Sequence, residues 1–470
     1  AEIEEELARI IDNPETEVDE QSAARMNAWL AKWRNRNLSD SYEPGSTFKT
    51  ITLAIALEEG VVNENSTFFC AGTSTDIPGR VEPLHCSNST AHGLQTLAQA
   101  VQNSCNIAFA HIGLLIGAER FYDYIEAFGF KGRTGIDLSG EATGLWWDDA
   151  VFKSDNKSQL ASASFGQTFT ITPIQLITAI SATVNGGILY KPHVVKQITG
   201  TDGAVVESNA PTAVRQVISA ETSATVRELL ESAVSNGSGK NGQVAGYRVG
   251  GKTGTSVKTT LQAVTGEKEY IVSFVGIAPI NDPQIVILLL LDTPSASSGV
   301  GIYGSQMAAP TVRNILAEVL PYMGIEPEYS DEETQNINIS VPKLAELTLA
   351  EAQKKLRDLR LDYKVIGDGD TVTAQLPAAN ARVSPNTKVL LYTGAPPEDS
   401  TVIVPNLAGR SYASAKALLE ERGLFIRSTG IAPGMIHAVV QVQSMPSGES
   451  AAYGTVIEVQ LVDSSVEGIF

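Results

Sequence analysis

The stretch that decides the fold is Tyr42–Glu59, YEPGSTFKTITLAIALEE, where a proline–glycine turn leads into a long apolar segment. Apolar residues recur around most of this segment, which predicts a helix over Ser46–Glu59 that is buried on most of its surface. Ser46 and Lys49 stand three positions apart, so a hydroxyl and an amine share one helical face. The positive field at a helix N-terminus favours a developing alkoxide. The stretch therefore places a candidate nucleophile beside a candidate base.

An S-x-x-K spacing is weak evidence by itself, because average composition gives about two matches in a chain of this length. The sequence contains two further matches. Ser154–Lys157 lies in the polar stretch KSDNKSQ, which predicts a solvated loop, and Ser340–Lys343 opens a repeated segment. Ser46 therefore needs support from other parts of the chain.

Two more elements supply that support. Ser104-Cys105-Asn106 is an S-x-N, and Lys252-Thr253-Gly254 is a K-T-G, a pattern that chance gives only about 0.2–0.3 times. A second S-x-N, Ser154-Asp155-Asn156, also fits the order, but Ser104 is preferred because an apolar-periodic stretch leads into it. S-x-x-K, S-x-N and K-T-G in this order form the signature of penicillin-binding proteins and serine β-lactamases.

Strong β patterns surround the K-T-G. Tyr270–Ala278 and Gln284–Asp292 are apolar runs separated by the turn PINDP, and they predict a hairpin. Arg248–Val257, which contains the K-T-G, predicts a third strand beside them. Helices followed by an antiparallel strand group indicate an α+β fold.

The C-terminal part of the chain contains an internal repeat. Val341-Pro342 and Val404-Pro405 are separated by an offset of 63 residues, and further apolar positions match at the same offset. Each copy reads VPxL, then an amphipathic helix (Leu349–Leu359 or Tyr412–Arg422), then short strands. Two copies are too few for a solenoid, so the repeat predicts two small α+β modules.

Composition shifts divide the chain. The acidic, polar segment 326–338 and the proline-containing segment 396–401 are typical of linkers. We therefore predict one large domain over residues 1–325 and two modules over residues 339–395 and 402–463.

Composition also excludes several classes of protein. The chain carries 34 basic and 53 acidic residues, a net charge of −19, without a Lys/Arg-rich block. This argues against a nucleic-acid partner, because phosphate binding needs a basic surface. The longest aliphatic run, Ile285–Leu291, is far shorter than the roughly 20 residues that span a bilayer. The chain opens at Ala1 without a signal-peptide pattern, so we expect it to be a piece of a longer protein.

Longer segments carry a family resemblance. They are RNRNLSDSYEPGSTFKT (34–50), HGLQTLAQAVQNSCN (92–106), SFGQTFTITPIQL (164–176), GGKTGTS (250–256) and SFVGIAPINDPQIVILLLLD (273–292). Together they resemble the transpeptidase domain of class B penicillin-binding proteins, and the paired VPxL modules resemble PASTA domains. The resemblance implies a penicillin-binding/serine β-lactamase-like transpeptidase fold with helices around an antiparallel sheet.

The resemblance also implies a role for each matched residue. The implied roles are Ser46 as the acylated nucleophile, Lys49 as its general base, Ser104 as a proton relay to the leaving D-alanine, Asn106 as a ligand of the peptide amide, Lys252 and Thr253 as ligands of the substrate carboxylate, and Gly254 as the point where the substrate backbone approaches. The oxyanion hole would consist of the backbone N–H groups of Ser46 and Thr255. The motifs Phe165-Gly166-Gln167 and Thr172-Pro173 would shape the site.

The reaction implied is cross-linking of peptidoglycan stem peptides, supplied by a lipid-linked precursor, through a serine acyl-enzyme that β-lactams trap. Neither a cofactor nor a metal is expected. The family further implies cell division or spore cortex synthesis, with a partner glycosyltransferase. It implies a location on the extracytoplasmic face of the bacterial plasma membrane, anchored by an N-terminal helix outside this chain.

Two other functions stay open. A serine β-lactamase or D,D-carboxypeptidase would pass the acyl group to water, although no E-x-x-x-N segment lies between the S-x-N and the K-T-G to position water as in class A β-lactamases. A non-catalytic penicillin-binding sensor or scaffold would bind the cell wall through the two modules. Transfer of the acyl group to water or to an amine separates the two enzyme classes. Turnover of a peptide substrate separates an enzyme from a sensor or scaffold.

The three cysteines allow two states. Cys70, Cys86 and Cys105 fit three reduced thiols or one disulfide and a free thiol. A Cys70–Cys86 bridge is the predicted pair outside the cytoplasm, and by loop entropy it would contribute about 3 kcal/mol. Zinc bound by Cys70, His85, Cys86 and His92 is the less favoured alternative, because the C-x2-C pairs of structural zinc sites are absent. Within the family that the chain resembles, Cys70 and the His85-Cys86 pair indicate the branch of class B penicillin-binding proteins that acts in sporulation and division.

The N-terminus departs from the family pattern. Two strands usually precede the S-x-x-K and complete the central sheet, whereas this chain offers an acidic helix (Glu2–Ile11), a break at Asn13-Pro14 and a second helix (Gln21–Trp33). We therefore expect the sheet to lack those strands. Trp146-Trp147 is a candidate substrate platform, although packing is the favoured role.

Overall fold

The computed structural model describes residues 18–86, 91–258, 266, 268–295, 301–328, 338–359, 361–384, 387–395, 400–431, 433 and 437–465. The predicted helix Glu2–Ile11 and the break at Asn13-Pro14 lie outside these residues. The second predicted N-terminal helix is observed as α1 (Val18–Trp33). No helix within the described ranges has the length and apolar character needed to cross a bilayer.

Helices dominate the chain up to residue 250. After α1 they are α2 (Arg36–Ser39), α3 (Lys49–Glu58), α4 (Leu97–Gln102), α5 (Asn106–Ile116), α6 (Ala118–Ala127), α7 (Asp149–Phe152), α8 (Ser158–Ala163), α9 (Pro173–Val184) and α10 (Ala220–Asn236), with α11 (Ala308–Tyr322) later. Short strands between them form two-stranded ribbons: β1 (Thr67–Cys70) with β4 (Gly93–Thr96), β2 (Thr73–Ser74) with β3 (Leu84–His85), β5 (Ile188–Lys191) with β8 (Thr212–Gln216), and β6 (Gln197–Thr199) with β7 (Val205–Ser208).

The central sheet has the order β11-β10-β9 and is antiparallel throughout. Its strands are β9 (Gly250–Val257), β10 (Tyr270–Ala278) and β11 (Ile285–Asp292), which confirms the predicted hairpin and third strand. Within the described ranges this sheet contains three strands, and none of them comes from the N-terminal region.

The two faces of the sheet pack against different layers, because successive side chains of a strand point to opposite sides. From β10, Val275 and Ile277 join the large core with α3, α5, α9 and α10. Phe274 and Ala278 face the other way and pack against apolar residues of α11. A helix layer on each side of an antiparallel sheet confirms the α+β class.

Helix α3 lies in the centre of the large core. Its residues Lys49–Ala56 are all buried, which agrees with the predicted burial of this segment. The start of the segment differs from the prediction: Gly45–Phe48 forms a 3-10 turn, and the α-helix begins at Lys49. The left-handed φ of Gly45, +57°, tightens the chain here, and 3-10 turns are frequent at helix N-termini.

The two C-terminal repeats have the same topology. The first contains β12 (Ile339–Ser340), α12 (Leu349–Asp358), β13 (Asp362–Ile366), β14 (Ala374–Leu376), β15 (Arg382–Val383) and β16 (Lys388–Tyr392); the second contains β17 (Thr401–Ile403), α13 (Tyr412–Glu420), β18 (Phe425–Gly430), β19 (Ala438–Gln443), β20 (Ser450–Ala452) and β21 (Val456–Asp463). Their three-stranded sheets have the equivalent orders β13-β16-β14 and β18-β21-β19. Each repeat has its own apolar core.

Candidate active site

Ser46 lies on the 3-10 turn, directly against the strand that contains the K-T-G. A Cβ atom built on Gly45 would lie 3.2 Å from the carbonyl oxygen of Thr255, so the two backbones touch. Ser46 is half-buried, and its carbonyl oxygen accepts a hydrogen bond from the backbone N–H of Lys49. The fold thus brings the S-x-x-K turn to the K-T-G strand, as the order of motifs predicts.

The Lys49 amine is buried beside the S-x-N. Its side chain is only 1% exposed. Its Nζ donates to the Ser104 hydroxyl at 3.1 Å, to the Asn106 Oδ1 at 2.8 Å and to the Ser104 carbonyl oxygen. The three contacts fix the amine between the first two motifs.

Lys252 completes a pair of amines around one hydroxyl. It is also 1% exposed, and its Nζ donates to the Ser104 Oγ at 2.8 Å and to the Thr253 carbonyl oxygen at 3.2 Å. Ser104 therefore receives hydrogen bonds from both lysines. It has a φ of +51°, which is uncommon for a residue with a side chain, and such strain is found at functional sites.

Of the two S-x-N serines that fit the order of motifs, Ser104 is the one at the site, as the sequence predicts. Ser104 follows α4 and Asn106 begins α5, so two helix ends hold the motif. The competing serine, Ser154, donates its hydroxyl to the carbonyl oxygen of Val151, in the adjacent short helix α7. Lys157, from the competing S-x-x-K, bonds the Ser154 carbonyl oxygen at 2.7 Å, so neither belongs to the Ser104 cluster.

Gly254 has a structural role besides the predicted one. A Cβ atom at this position would lie 2.4 Å from the Ser273 Oγ and 3.1 Å from the Thr47 Cγ2. A side chain at this position would therefore displace the Ser273 hydroxyl of β10 and crowd the Thr47 methyl group on the turn that holds Ser46. Thr253, beside it, shares a hydrogen bond of 3.1 Å with the Ser238 hydroxyl, a contact that no sequence signal predicts.

Gly166, from the SFGQ motif, supports the Ser46 turn from the other side. Its carbonyl oxygen accepts a hydrogen bond of 2.9 Å from the Gly45 N–H. Its φ is +87°, and a Cβ atom would lie 2.0 Å from the Gly45 carbonyl oxygen. The motif therefore shapes the turn, as the sequence predicts.

The tryptophan pair lines a cleft. Trp146 packs against Phe169, with ring centroids 4.1 Å apart, and also against Phe48 and Phe152. Trp147 borders a cavity of about 450 Å³ together with Glu43 and residues 167–170. Trp146 thus has the packing role that the sequence favours.

Comparison with models of protein families supports the family that the motifs and their geometry indicate. The model of the penicillin-binding protein transpeptidase domain matches residues 8–317, which is more than half of the chain. The chain belongs to the penicillin-binding protein transpeptidase family. The PASTA domain model matches residues 339–395, the first repeat. Both findings confirm the predicted family and fold class.

Relatives and solved structures agree with this assignment. The chain is 40% identical over 366 residues to stage V sporulation protein D of Bacillus subtilis, covering 76% of this chain and 55% of that protein. It superposes on the D,D-transpeptidase domain of a peptidoglycan glycosyltransferase from Eggerthella lenta with a TM-score of 0.56 at 27% identity, covering 65% of this chain and 72% of that one. Penicillin-binding protein 3 of Mycobacterium tuberculosis in complex with aztreonam gives 0.55 at 28% identity, covering 62% and 65%. The chain spans about half the length of the curated relatives it matches.

The three cysteines form a cluster beside the S-x-N. Potential ligand atoms of Cys70, Cys86, His92 and Cys105 all lie within 4.8 Å of one another. This set differs from the zinc alternative read from the sequence, because Cys105 takes the place of His85, whose side chain is exposed. The sequence reasoning missed Cys105 because its neighbours in the cluster come from β1 and from the β3–β4 connection.

The spacing fits a tetrahedral metal. A tetrahedral zinc with Zn–S bonds of about 2.3 Å has ligand atoms roughly 3.8 Å apart. Cys86 Sγ lies 3.8 Å from Cys105 Sγ and 3.7 Å from His92 Nδ1. The hydrogen bond between the Cys86 and Cys105 thiols lowers the pKa of Cys86 and raises that of Cys105, and the Asn106 N–H, Lys49 and His92 lower the pKa of Cys86 further. Thiolate character at Cys86 suits a zinc ligand.

The sequence leads us to expect no metal, but the observed cluster of three cysteines and a histidine makes a complete structural site, so from the structure we expect the purified protein to bind about one zinc ion per chain. His92→Ala will lower the zinc content measured by mass spectrometry of the metal, whereas the matched variant His85→Ala will keep it. Equal zinc content in the two variants would contradict this site.

The cluster also bears on the disulfide. All three cysteines are thiols in the structure. The Cys70–Cys86 pair stays a prediction for the oxidised protein, and zinc and a disulfide would compete for the same sulfur atoms.

Proposed function

We propose that this chain is a peptidoglycan D,D-transpeptidase that forms an acyl-enzyme on Ser46. The observation that carries the proposal is the Ser104 hydroxyl, which lies 3.1 Å from the Lys49 amine and 2.8 Å from the Lys252 amine. This arrangement gives a proton route from the base to a leaving group, next to an accessible serine.

In the first half-reaction, Ser46 Oγ attacks the carbonyl carbon between the two D-alanines of a stem peptide. Lys49, in its neutral form, accepts the Ser46 proton. The proton passes through the Ser104 hydroxyl to the nitrogen of the departing D-alanine as the C–N bond breaks. The Ser46 and Thr255 N–H groups stabilise the oxyanion, a contribution worth on the order of 100-fold in rate for one donor.

In the second half-reaction, an amine of a neighbouring strand attacks the ester carbon. The new amide bond forms, the bond to Ser46 Oγ breaks, and the amine proton returns to Ser46 by the same groups. Asn106, Lys252 and Thr253 hold the peptide amide and the substrate carboxylate. A β-lactam enters the first half-reaction and stays attached, and the aztreonam complex of the mycobacterial relative supports this.

The names of two relatives support part of the proposed setting: stage V sporulation protein D supports a role in sporulation, and the peptidoglycan D,D-transpeptidase of Escherichia coli supports work on the bacterial cell wall. The proposal also includes cell division as the alternative role and the outer face of the plasma membrane as the location. The lipid-linked precursor would supply the stem peptides, and a glycosyltransferase would supply the glycan strands. The two repeats would be domains over 339–395 and 402–463, following a transpeptidase domain over 1–325.

Turnover of a stem-peptide thioester in the presence of a D-amino acid tests the proposal. A transpeptidase gives the aminolysis product and releases a fluorescent penicillin slowly. Hydrolysis alone would indicate a D,D-carboxypeptidase, and rapid release of penicillin would indicate a β-lactamase. A stable penicillin adduct without thioester turnover would indicate a sensor or scaffold.

A further inference from the structure

The second repeat docks on the transpeptidase domain beside the active site. Its last strand, β21, ends at Asp463, which is 2% exposed although it is a charged residue at the end of a strand. The Asp463 N–H donates to the Asn241 Oδ1 at 2.9 Å, and its carboxylate accepts from Lys240 at 3.3 Å. Asn241 and Lys240 belong to the transpeptidase domain, in the short turn Lys240–Gly242.

A buried arginine joins the same contact. Arg313 of α11 is 3% exposed, and its Nη1 lies 3.5 Å from the carbonyl oxygens of both Asn241 and Leu461. Burial lowers the pKa of Arg313 to about 10, so it keeps its charge at neutral pH. Gly430 of the repeat makes room for it, because a Cβ atom there would lie 2.7 Å from the arginine Nη1.

Asn241 connects this contact to the catalytic strand. It is fully buried, and its Nδ2 donates to the Ser305 carbonyl oxygen at 3.0 Å. The adjacent Gly304 N–H donates to the Thr255 Oγ1 at 3.3 Å. A Cβ atom at Gly304 would lie 2.5 Å from the Gly254 carbonyl oxygen, so residues 301–306 lie directly against the K-T-G strand.

The turn that holds Asn241 touches the other motifs as well. Ser238, three residues earlier, donates its N–H to the Gln102 carbonyl oxygen, at the end of α4 before the S-x-N. Its hydroxyl bonds Thr253 of the K-T-G at 3.1 Å. The segment 237–242 thus contacts the S-x-N region, the K-T-G strand and the second repeat.

We propose that Asn241 is a positioning residue through which the docked second repeat holds residues 301–306 against the Lys252–Thr255 strand. The inference rests on the proposed function, because it concerns the geometry in which Ser46 is acylated. On the side of the repeat, Asn241 binds the end of β21. On the side of the transpeptidase domain, it aligns the strand that contributes to the oxyanion hole.

Asn241→Ala tests the inference in the full chain. We expect the rate constant for Ser46 acylation by a fluorescent penicillin to fall roughly tenfold while the half-saturating penicillin concentration changes little, since misplacement of aligned groups affects the chemical step. The Asp463 amide should also lose protection from hydrogen exchange. Gln441→Ala, which removes the 2.7 Å bond to the Gln306 carbonyl oxygen from the repeat side, should lower the same rate constant by a smaller factor.

Asn338→Ala is the matched control. It removes a side-chain amide hydrogen bond of the same kind, a part-buried one to the Ser428 carbonyl oxygen, which joins the linker before the first repeat to the second repeat, and it should acylate like the wild type. Wild-type rates in Asn241→Ala, measured below its unfolding temperature, would overturn the inference and leave Asn241 a stabilising residue only. Failure of the wild type itself to acylate would instead overturn the proposed function.

Discussion

Lys49→Met will lower the second-order rate constant for acylation by benzylpenicillin by roughly 1000-fold, because loss of a general base typically costs between 100-fold and 10,000-fold. Methionine keeps most of the volume of the buried side chain and removes the amine that contacts Ser104 and Asn106. The measurement is the time course of fluorescent-penicillin labelling, followed on denaturing gels with the unfolding temperature recorded in parallel.

The chain contains its own control for this variant. Lys157 belongs to the second S-x-x-K match, and its amine bonds the carbonyl oxygen of Ser154, in a loop apart from the cluster. Lys157→Met will therefore label at the wild-type rate. Similar losses in the two variants would show that the effect of Lys49→Met is not specific to the proposed base.

Ser104→Ala will lower the acylation rate constant by about 100-fold, since it removes the hydroxyl that lies between the Lys49 and Lys252 amines. Two buried amines then lose a shared acceptor, and the proton has no side-chain route to the leaving nitrogen. The loss should appear in the acylation step and persist at saturating penicillin.

Ser154→Ala is the corresponding control, because Ser154 belongs to the competing S-x-N and donates its hydroxyl to Val151 of the neighbouring helix α7, apart from the Ser104 cluster. It will label like the wild type. Normal acylation of Ser104→Ala would remove the hydroxyl relay from the mechanism, while leaving the Ser46 nucleophile to be tested separately.

Much of this architecture can be predicted from local pattern. The apolar character of α3 and the apolar runs of β10 and β11 can be recognised over short stretches of sequence, and the structure contains all three elements. The repeat offset likewise predicts two modules of equal topology, because matching apolar positions form matching elements. Motif order predicts that Ser46, Ser104 and Lys252 share one site; the structure places the Lys252 amine on the Ser104 hydroxyl and the turn of Ser46 against the strand that contains Lys252.

What the sequence did not predict depends on contacts between distant segments. Ser238 faces Thr253 across 15 residues, and Cys105 joins Cys70 and His92 from another part of the fold. Neither pair has a fixed spacing that a pattern could detect. The docking of Asp463 on Asn241 joins residues 222 positions apart, and the linear sequence shows only a serine- and glycine-rich loop there.

The start of the central helix also escaped prediction for a physical reason. Periodicity locates a helix but does not distinguish a 3-10 first turn from an α-helical one. The tight turn at Gly45–Phe48 results from the approach of Gly45 to Thr255 and Gly166, which is a tertiary contact.

The central claim is that Ser46 is the acylated residue, and peptide mapping of the benzylpenicillin adduct tests it most directly. The intact protein should gain the mass of one penicilloyl group, and the modified peptide should carry it on Ser46. Ser46→Ala should gain no mass under the same conditions. An adduct on another residue, or an unchanged mass gain in Ser46→Ala, would contradict the account.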